Sequence, residues 1–195
     1  MSGFDYRSNH PYFVTIVTGK RLCVFGEIEE EVLKPTRRGL VATECWNDVP
    51  KHHPFVELDA FVLMPNHIHG ILLFVGNADQ PVAATPASPP GAHGPASRSL
   101  GAVIGSFKSA VSRTINKLRP GAAQDLWQPN YYEHIIRHDH ALERIREYIL
   151  TNPQRWRHDN ENPDGLGGDD YKAFIASVDL PKEGDAGVAA TGRKP

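Results

Sequence analysis

The sequence predicts an α+β fold, because strand-like and helix-like patterns alternate along the first 158 residues. Three observations support this prediction: a strand pattern near the N-terminus, a pair of strand patterns around a Pro-Asn turn, and a long helical repeat after residue 98. The predicted order is β-α-β-β-α-β with one more helix at the end. That order is typical of the ferredoxin-like fold, an antiparallel sheet with two helices on one face. The additional helix is free to cover the open face or an edge.

The first strand is predicted over residues 12–18, which are mainly aromatic and β-branched and are followed by Gly19. Residues 27–49 mix charged residues with apolar ones and are predicted to form a helix. Pro35 and Gly39 leave the start of that helix open.

Two further strands are predicted over residues 56–64 and 67–75. The dipeptide Pro65-Asn66 between them is a turn signal, so the two strands are expected to pair as a hairpin.

The second half of the chain begins with an amphipathic helix that ends at Pro120-Gly121. Its apolar residues recur at helical spacing and are Leu100, Val103, Ile104, Phe107, Val111, Ile115 and Leu118. Residues 131–137 suit a short fourth strand. Asp139 can cap the next helix, which Asn152-Pro153 ends.

Two segments differ in composition from the rest of the chain. Residues 77–97 are rich in Ala, Pro, Gly and Ser and are predicted to be a flexible insert. Residues 159–195 are predicted to be a largely disordered acidic tail, so the folded domain is expected over residues 1–158. Within the tail, one docked turn could be formed by Tyr171, Phe174, Ile175 and Val178. These segments hold many of the 17 Gly and 16 Pro residues.

Charge is distributed unevenly along the chain. The formal net charge is −2, but residues 98–158 carry 10 basic and 5 acidic side chains. The tail carries 4 basic and 8 acidic side chains, so its negative charge offsets the positive charge of this segment in the net charge of the chain. A basic segment suits a polyanionic partner, although on charge alone a solvated helix face is the simpler explanation.

Further sequence features bear on where in the cell the protein is located. The chain has no apolar run of about 18 residues and no apolar stretch at its N-terminus, so neither a membrane span nor a secretory signal is expected. Cys23 and Cys45 form no spaced metal motif, and a disulfide is not expected. A cytoplasmic protein is the prediction.

His67 and His69 lie two residues apart on a predicted strand, so both imidazoles point to the same face of the sheet. Two imidazoles on one face can bind a divalent cation, but they leave it short of ligands. A third ligand must come from elsewhere in the chain. The pair also has a simpler interpretation, as two histidines with no ligand role.

Tyr148 and Asn152 lie four residues apart on the last predicted helix, so both project from one side of it. An Asn side chain offers an oxygen ligand, and a Tyr hydroxyl is a nucleophile once a cation or base activates it. The simpler interpretation makes Tyr148 a core-rim residue and Asn152 a helix cap.

Four sequence blocks occur in the order that is typical of one known protein family. They are MPNHIHGILL, SLGAVIGSFKSAVSRTIN, LWQPNYYEHIIR and LERIREYILTNPQRW. Together they resemble the REP-associated tyrosine transposases, a branch of the single-tyrosine HUH nucleases, named for their histidine, bulky apolar, histidine motif. The resemblance covers about residues 8–158, apart from the insert at 77–97.

The resemblance implies a ferredoxin-like fold and a role for each motif residue. His67 and His69 match the histidines that bind Mg²⁺ or Mn²⁺, Asn152 matches the third metal ligand, and Tyr148 matches the nucleophile. The implied reaction is cleavage and transfer of single-stranded DNA near a hairpin, through a 5′-phosphotyrosine. The implied partner is single-stranded or hairpin DNA, which places the protein on the nucleoid. A monomer is favoured and a homodimer is left open.

Other residues are assigned only by type. Tyr132 on the fourth strand is the alternative nucleophile, beside Glu133 and His134. Basic, aromatic and amide side chains that can contact DNA are Lys108, Arg113, Lys117, Trp127, Gln128, Arg144 and Arg155. Two other functions stay open: a hairpin-binding protein that does not cut, and a metalloenzyme unrelated to DNA that uses His67, His69 and His134.

Overall fold

The computed structural model describes residues 11–75 and 98–178. The described strands are β1 (Pro11–Val17), β2 (Gly26–Glu29), β3 (Val32–Pro35), β4 (Val56–Leu63), β5 (His67–Phe74) and β6 (Tyr132–Ile135). The described helices are α1 (Arg37–Asn47), α2 (Val49–His52), α3 (Leu100–Leu118), α4 (Asp139–Leu150), α5 (Asn152–Arg155) and α6 (Tyr171–Val178). The predicted insert 77–97 and residues 179–195 lie outside the described residues.

Four strands form one antiparallel sheet in the order β4-β5-β1-β6. The β4–β5 hairpin turns through Pro65-Asn66, as predicted, and β1 lies between β5 and β6. The pairing sets Thr15 opposite His69 and Val17 opposite His67. An α+β fold with a four-stranded antiparallel sheet is therefore confirmed.

The prediction of a helix over residues 27–49 is wrong for residues 27–36. Residues 26–35 instead form the separate β2–β3 hairpin, and α1 begins at Arg37. The turn residues Glu30 and Glu31 both have positive φ, as in the tight turns that match strand twist. Pro35 disfavours helix before it, and the Thr36 hydroxyl caps α1 by accepting from the Gly39 N–H.

The first face of the sheet carries the apolar side chains of Val14, Ile16, Ile68 and Leu72. Helices α1 and α3 cover this face, and the buried stripe of α3 is the one that its helical repeat predicts. Gly70 allows the closest approach, because a Cβ there would clash with the buried Trp46 ring of α1. This face is a conventional hydrophobic core.

The second face of the sheet carries Phe13, Thr15, Ile71 and Leu73 and is covered by α4 and α6. Apolar residues of both helices pack against it, namely Ala141, Leu142, Ile145, Ile149, Tyr171, Ile175 and Val178. Helix α6, which lies within the predicted tail, is therefore packed into the second core. The docked turn expected around Tyr171 is a full helix, because its apolar residues complete the second core.

No described helix is long and apolar enough to cross a membrane. Cys23 and Cys45 are both free thiols.

Candidate metal and nucleophile site

His67 and His69 lie at the start of β5, and strand alternation points both rings to the second face. Both side chains are fully buried, and their Nε2 atoms face each other at 3.2 Å. The Nδ1 atom of His67 pairs with Asn66 Oδ1 at 2.9 Å, and that of His69 pairs with Thr15 Oγ1 at 2.9 Å. Each ring is thus oriented through one nitrogen, which leaves the other free to act as a ligand.

Burial keeps both imidazoles neutral. It lowers the pKa of His67 to about 3, and it lowers the pKa of His69 well below the ordinary value, with the neighbouring His67 acting in the same direction. Neutral imidazole is the form that binds a metal ion, so these rings need not lose a proton to do so at neutral pH.

Asp159 brings a carboxylate to the two histidines. Its Oδ2 lies 3.6 Å from His67 Nε2, and the side chain is 2% exposed. Its Oδ2 has no hydrogen-bond partner among the described residues, while Oδ1 accepts from the Glu161 N–H at 2.6 Å. Burial is the main reason that the pKa of Asp159 is raised to about 7. In the described part of the chain, His67, His69 and Asp159 form the group whose ligand atoms all lie within 4.8 Å.

Asn152 is the first residue of α5 and is fully buried. Its amide acts on His67, where it partly opposes the lowering of the pKa by burial. Within residues 11–75 and 98–178, neither Oδ1 nor Nδ2 of Asn152 makes a hydrogen bond. A buried amide without partners costs about 1–3 kcal/mol, so it calls for an explanation.

These donors fit a divalent cation. Two neutral imidazole nitrogens and one carboxylate oxygen converge in a buried space. The Asn152 amide acts on His67, and both Asn152 and Asp159 keep buried atoms without hydrogen-bond partners among the described residues. Nitrogen and oxygen ligands of this kind suit divalent metals. The Asp159 carboxylate was not predicted, because the sequence places it in the expected tail.

Tyr148 lies on α4, one turn before Asn152, and its ring is 5.7 Å from that of His69. The side chain is 1% exposed, because the Phe174 ring stacks on it at 4.5 Å. The Arg155 guanidinium lies 5.0 Å above the Tyr148 ring. Burial raises the pKa of Tyr148, with Asp169 and Asp159 adding to the rise and Arg155 and Asn152 opposing it. The phenol is therefore protonated at neutral pH.

The alternative residues lie farther from the histidine pair. Tyr132 on β6 packs against the rings of Tyr171 and Phe13, at 5.2 and 6.3 Å. His134 is on the same strand but outside the three-residue ligand group. The Phe13 ring stacks on that of His69, and the rings of Tyr148 and Tyr171 meet it edge-on.

The residues predicted to contact DNA are placed in different surroundings. Lys108 donates to the carbonyls of Gln128 and Asn130, and the Trp127 indole N–H donates to the Lys108 carbonyl. The Trp127 ring also packs on those of Phe25 and Phe107. Lys108 and Trp127 thus hold the loop that follows α3, and their side chains are partly buried.

The remaining predicted contacts are more open to solvent. Arg113 and Lys117 are exposed on α3. Arg144 lies over the Phe174 ring at 5.6 Å, and Arg155 is 3.7 Å from an Asp169 oxygen. Gln128 lines a cavity of about 240 Å³ beside the site. That cavity is also lined by Thr15, Arg21, Asn130, Tyr131, Tyr132, Tyr171 and Lys172.

Asn66 connects the histidine pair to the C-terminal segment. Its Nδ2 donates to the carbonyls of Arg21 and Glu161, at 3.0 and 2.7 Å, while its Oδ1 pairs with His67. Arg21 Nε also donates to the Glu161 carboxylate at 2.7 Å. The sequence shows Asn66 only as a turn residue, and its role in orienting His67 follows from the tertiary contacts.

Comparison with known proteins identifies a sequence relative and a solved structure with a similar fold. No family model matches the chain. An uncharacterized protein of Haemophilus influenzae is 34% identical over 160 residues, which cover 80% of this chain and 87% of that protein. A solved structure of a REP-associated tyrosine transposase bound to a REP hairpin aligns with a TM-score of 0.53 and 18% identity, over 80% of this chain and 74% of that one. The chain therefore belongs to one family with the Haemophilus influenzae protein, and its fold resembles that of the REP-associated tyrosine transposase.

Proposed function

We propose that this protein is a metal-dependent DNA endonuclease and strand transferase that cuts single-stranded DNA near hairpins, with Tyr148 as the nucleophile. The observation that carries the proposal is the convergence of Tyr148 and Asn152 on the histidine pair, beside a buried carboxylate. Within this proposal the sheet is ferredoxin-like, with strand order matching that topology, and α4 is the added helix that carries the nucleophile.

His67, His69 and Asn152, together with Asp159, would hold a divalent cation such as Mg²⁺ or Mn²⁺. When bound, such a cation polarises the scissile phosphate and stabilises the negative charge that develops on it. The chain contributes the orientation of the ligands: Asn66 and Thr15 hold the two imidazoles, and the β5 backbone sets their spacing.

The covalent step exchanges one phosphodiester for another. The Tyr148 oxygen forms a bond to phosphorus as the bond between phosphorus and the 3′ oxygen breaks. The phenol loses its proton, the departing 3′ oxygen gains one, and the DNA is left as a 5′-phosphotyrosine. Because a phosphodiester is conserved, attack by a 3′-hydroxyl on the phosphotyrosine rejoins strands without an external energy source.

DNA is the proposed partner for two reasons. The solved structure with the shared fold holds a REP hairpin, and residues 98–158 of this chain are basic. A hairpin can be held through backbone contacts while its single-stranded flank enters the site. A monomer is proposed, since Tyr148 and all four candidate ligands come from one chain.

One observation favours the alternative, a hairpin-binding protein that does not cut. Tyr148 is 1% exposed, with Phe174 stacked on its ring, so the side chain offers a phosphate almost no surface in this conformation. Cleavage requires Phe174 or the whole of α6 to move, whereas binding alone does not.

The test is a covalent adduct assay. Wild-type protein incubated with hairpin-bearing single-stranded oligonucleotides and Mn²⁺ should give a protein–DNA band that survives a denaturing gel. Tyr148→Phe should give none, and Tyr132→Phe should behave as wild type. An adduct that persists in Tyr148→Phe but is lost in Tyr132→Phe would show that the nucleophile is Tyr132.

Binding by gel shift separates the two candidate functions. If wild type and Tyr148→Phe bind the hairpin equally and neither forms an adduct on any of the oligonucleotides, the non-cleaving alternative is the better description.

A further inference from the structure

A groove lined by three arginines lies between the start of α1 and the end of α3. Arg37 and Arg38 occupy the first turn of α1, and Arg119 follows the last residue of α3. The groove has a volume of about 230 Å³, and its other lining residues are Ile115, Leu118 and Ala122. We call this feature the arginine groove.

The three guanidinium groups have no carboxylate partner among the described residues. None of them forms an ion pair within residues 11–75 and 98–178, whereas Arg21, Arg146 and Arg155 each lie within 4 Å of a carboxylate. Like charges around one groove repel each other, and an anion bound between them removes that repulsion.

The arginine groove lies at the same end of the sheet as the histidine pair. The chain from Arg119 continues to Trp127, which pairs with Thr18 at the end of β1, and the Thr18 N–H donates to the Asn66 carbonyl. On the other side, the N–H of Thr36, just before α1, donates to the Phe25 carbonyl. The Phe25 N–H in turn donates to the carbonyl of Pro65, two residues before His67. Both walls are thus tied to the turn that precedes the site.

The chemistry of the groove suits phosphates rather than bases. Its floor is aliphatic, so it offers no ring on which a base could stack. The cavity beside the metal site differs, since it is lined by Tyr131, Tyr132 and Tyr171. Guanidinium groups bind phosphate oxygens in a bidentate manner and carry no sequence information by themselves.

We infer that the arginine groove binds the phosphate backbone of the duplex stem of a DNA hairpin, while the single-stranded flank passes to the metal site. This inference rests on the proposed function and adds the surface that holds the uncut part of the substrate. Arg37, Arg38 and Arg119 are in this view positioning residues that do not touch the reacting phosphate.

The test measures hairpin affinity as a function of salt. A fluorescent DNA hairpin with a stem of about one helical turn is titrated by anisotropy with wild type and with the triple variant Arg37→Gln, Arg38→Gln, Arg119→Gln. Each lost phosphate contact reduces the slope of log affinity against log salt by about 0.9, so the triple variant should lower the slope by roughly 2–3. Its affinity at low salt should fall at least about tenfold.

Arg119→Gln and Lys51→Gln form the matched pair of single variants. Both remove one exposed positive charge, but Lys51 lies at the end of α2 and pairs with Asp48. The slope should fall for Arg119→Gln and stay unchanged for Lys51→Gln. Thermal unfolding of each variant checks that the fold is kept.

The outcomes separate this inference from the proposed function. A triple variant with the wild-type salt slope overturns the arginine groove and leaves cleavage by Tyr148 standing. An affinity loss without a slope change also overturns it, because the effect is then structural. A wild-type protein that binds no hairpin at low salt overturns this inference, and the adduct assay with unstructured oligonucleotides reports on cleavage independently.

Discussion

The two faces of the central sheet are built from the same strands but have opposite character. On the first face, Ile68 and its apolar neighbours meet α1 and α3 in a close-packed core. On the second face, His67 and His69 are equally buried and meet Asn152 and Asp159, whose side chains keep unpaired polar atoms. Because side chains alternate along β5, its core residues point to the first face and its candidate metal ligands point to the second. Burial therefore serves stability on one face and ligand geometry on the other.

The largest expected effect is loss of the metal site on the second face. His69→Ala removes one imidazole ligand and should abolish saturable Mn²⁺ binding, measured by electron paramagnetic resonance titration. Adduct formation should fall by more than about 100-fold, beyond the loss expected for a residue that only supports a ligand. His52→Ala, on the exposed end of α2, is the control and should keep both. Undiminished Mn²⁺ binding in His69→Ala would remove His69 from the site.

The neighbouring position tests the first face. Ile68→Ala should lower the free energy of unfolding by about 2–5 kcal/mol, because a fully buried side chain is lost from the core. Denaturant unfolding measures this change. Mn²⁺ affinity of the folded variant should stay at the wild-type value, since the Ile68 side chain points away from the ligands. A large loss of metal affinity with little loss of stability would reverse the roles assigned to the two faces.

The buried Asp159 carboxyl should make the stability of the metal-free protein depend on pH. Its pKa is raised from 3.8 to about 7 in the folded protein. Between pH 3.8 and about 7 the Asp159 carboxyl is therefore protonated in the metal-free folded state and ionised in the unfolded chain. The free energy of unfolding falls as pH rises through this range, and the contribution of Asp159 is constant above it. Asp159→Asn should lack this loss and exceed wild type in stability at pH 8 by up to about 4 kcal/mol. Parallel pH profiles of unfolding for the two metal-free proteins would contradict the assignment.

The smallest effect is expected from the residue that orients His67. Asn66→Ala removes the hydrogen bond to His67 Nδ1 and the links to Arg21 and Glu161, and it should lower Mn²⁺ affinity by about 10–100-fold. Isothermal titration measures the affinity. Asn66→Asp retains an oxygen acceptor toward His67 but sets its second oxygen against the carbonyls of Arg21 and Glu161, so it should recover only part of the affinity. If both variants bind Mn²⁺ as wild type does, Asn66 is only a turn residue.

Much of the secondary structure follows from local patterns. The apolar repeat of α3 spans about five helical turns, and the strand pair around Pro65-Asn66 carries strong turn chemistry, so both were predictable. The β2–β3 hairpin was not, since its charged residues resemble a solvated helix and its turn uses two glutamates at positive φ, an uncommon choice for that backbone. Local sequence here gave no turn signal of the usual kind.

The candidate site divides in a similar way. Spacing alone places His67 with His69, and Tyr148 with Asn152, on common sides of a strand and a helix. Nothing local indicates Asp159, whose segment is rich in Gly, Asn and Asp and has no periodicity. Lys108 and Trp127 are residue types that commonly contact DNA, but in this fold both make hydrogen bonds that hold the loop after α3. Residue type cannot show which partner a side chain meets.

Local sequence is enough to put two imidazoles on one face of a strand and to pair a phenol with an amide on one side of a helix. Both depend on backbone geometry that extends over only a few residues. Tertiary structure alone decided that the two pairs meet, that Asp159 joins them from 90 residues beyond His69, and that Phe174 covers Tyr148. These contacts depend on how two helices pack across a sheet face, and that packing is a property of the whole core rather than of any one segment.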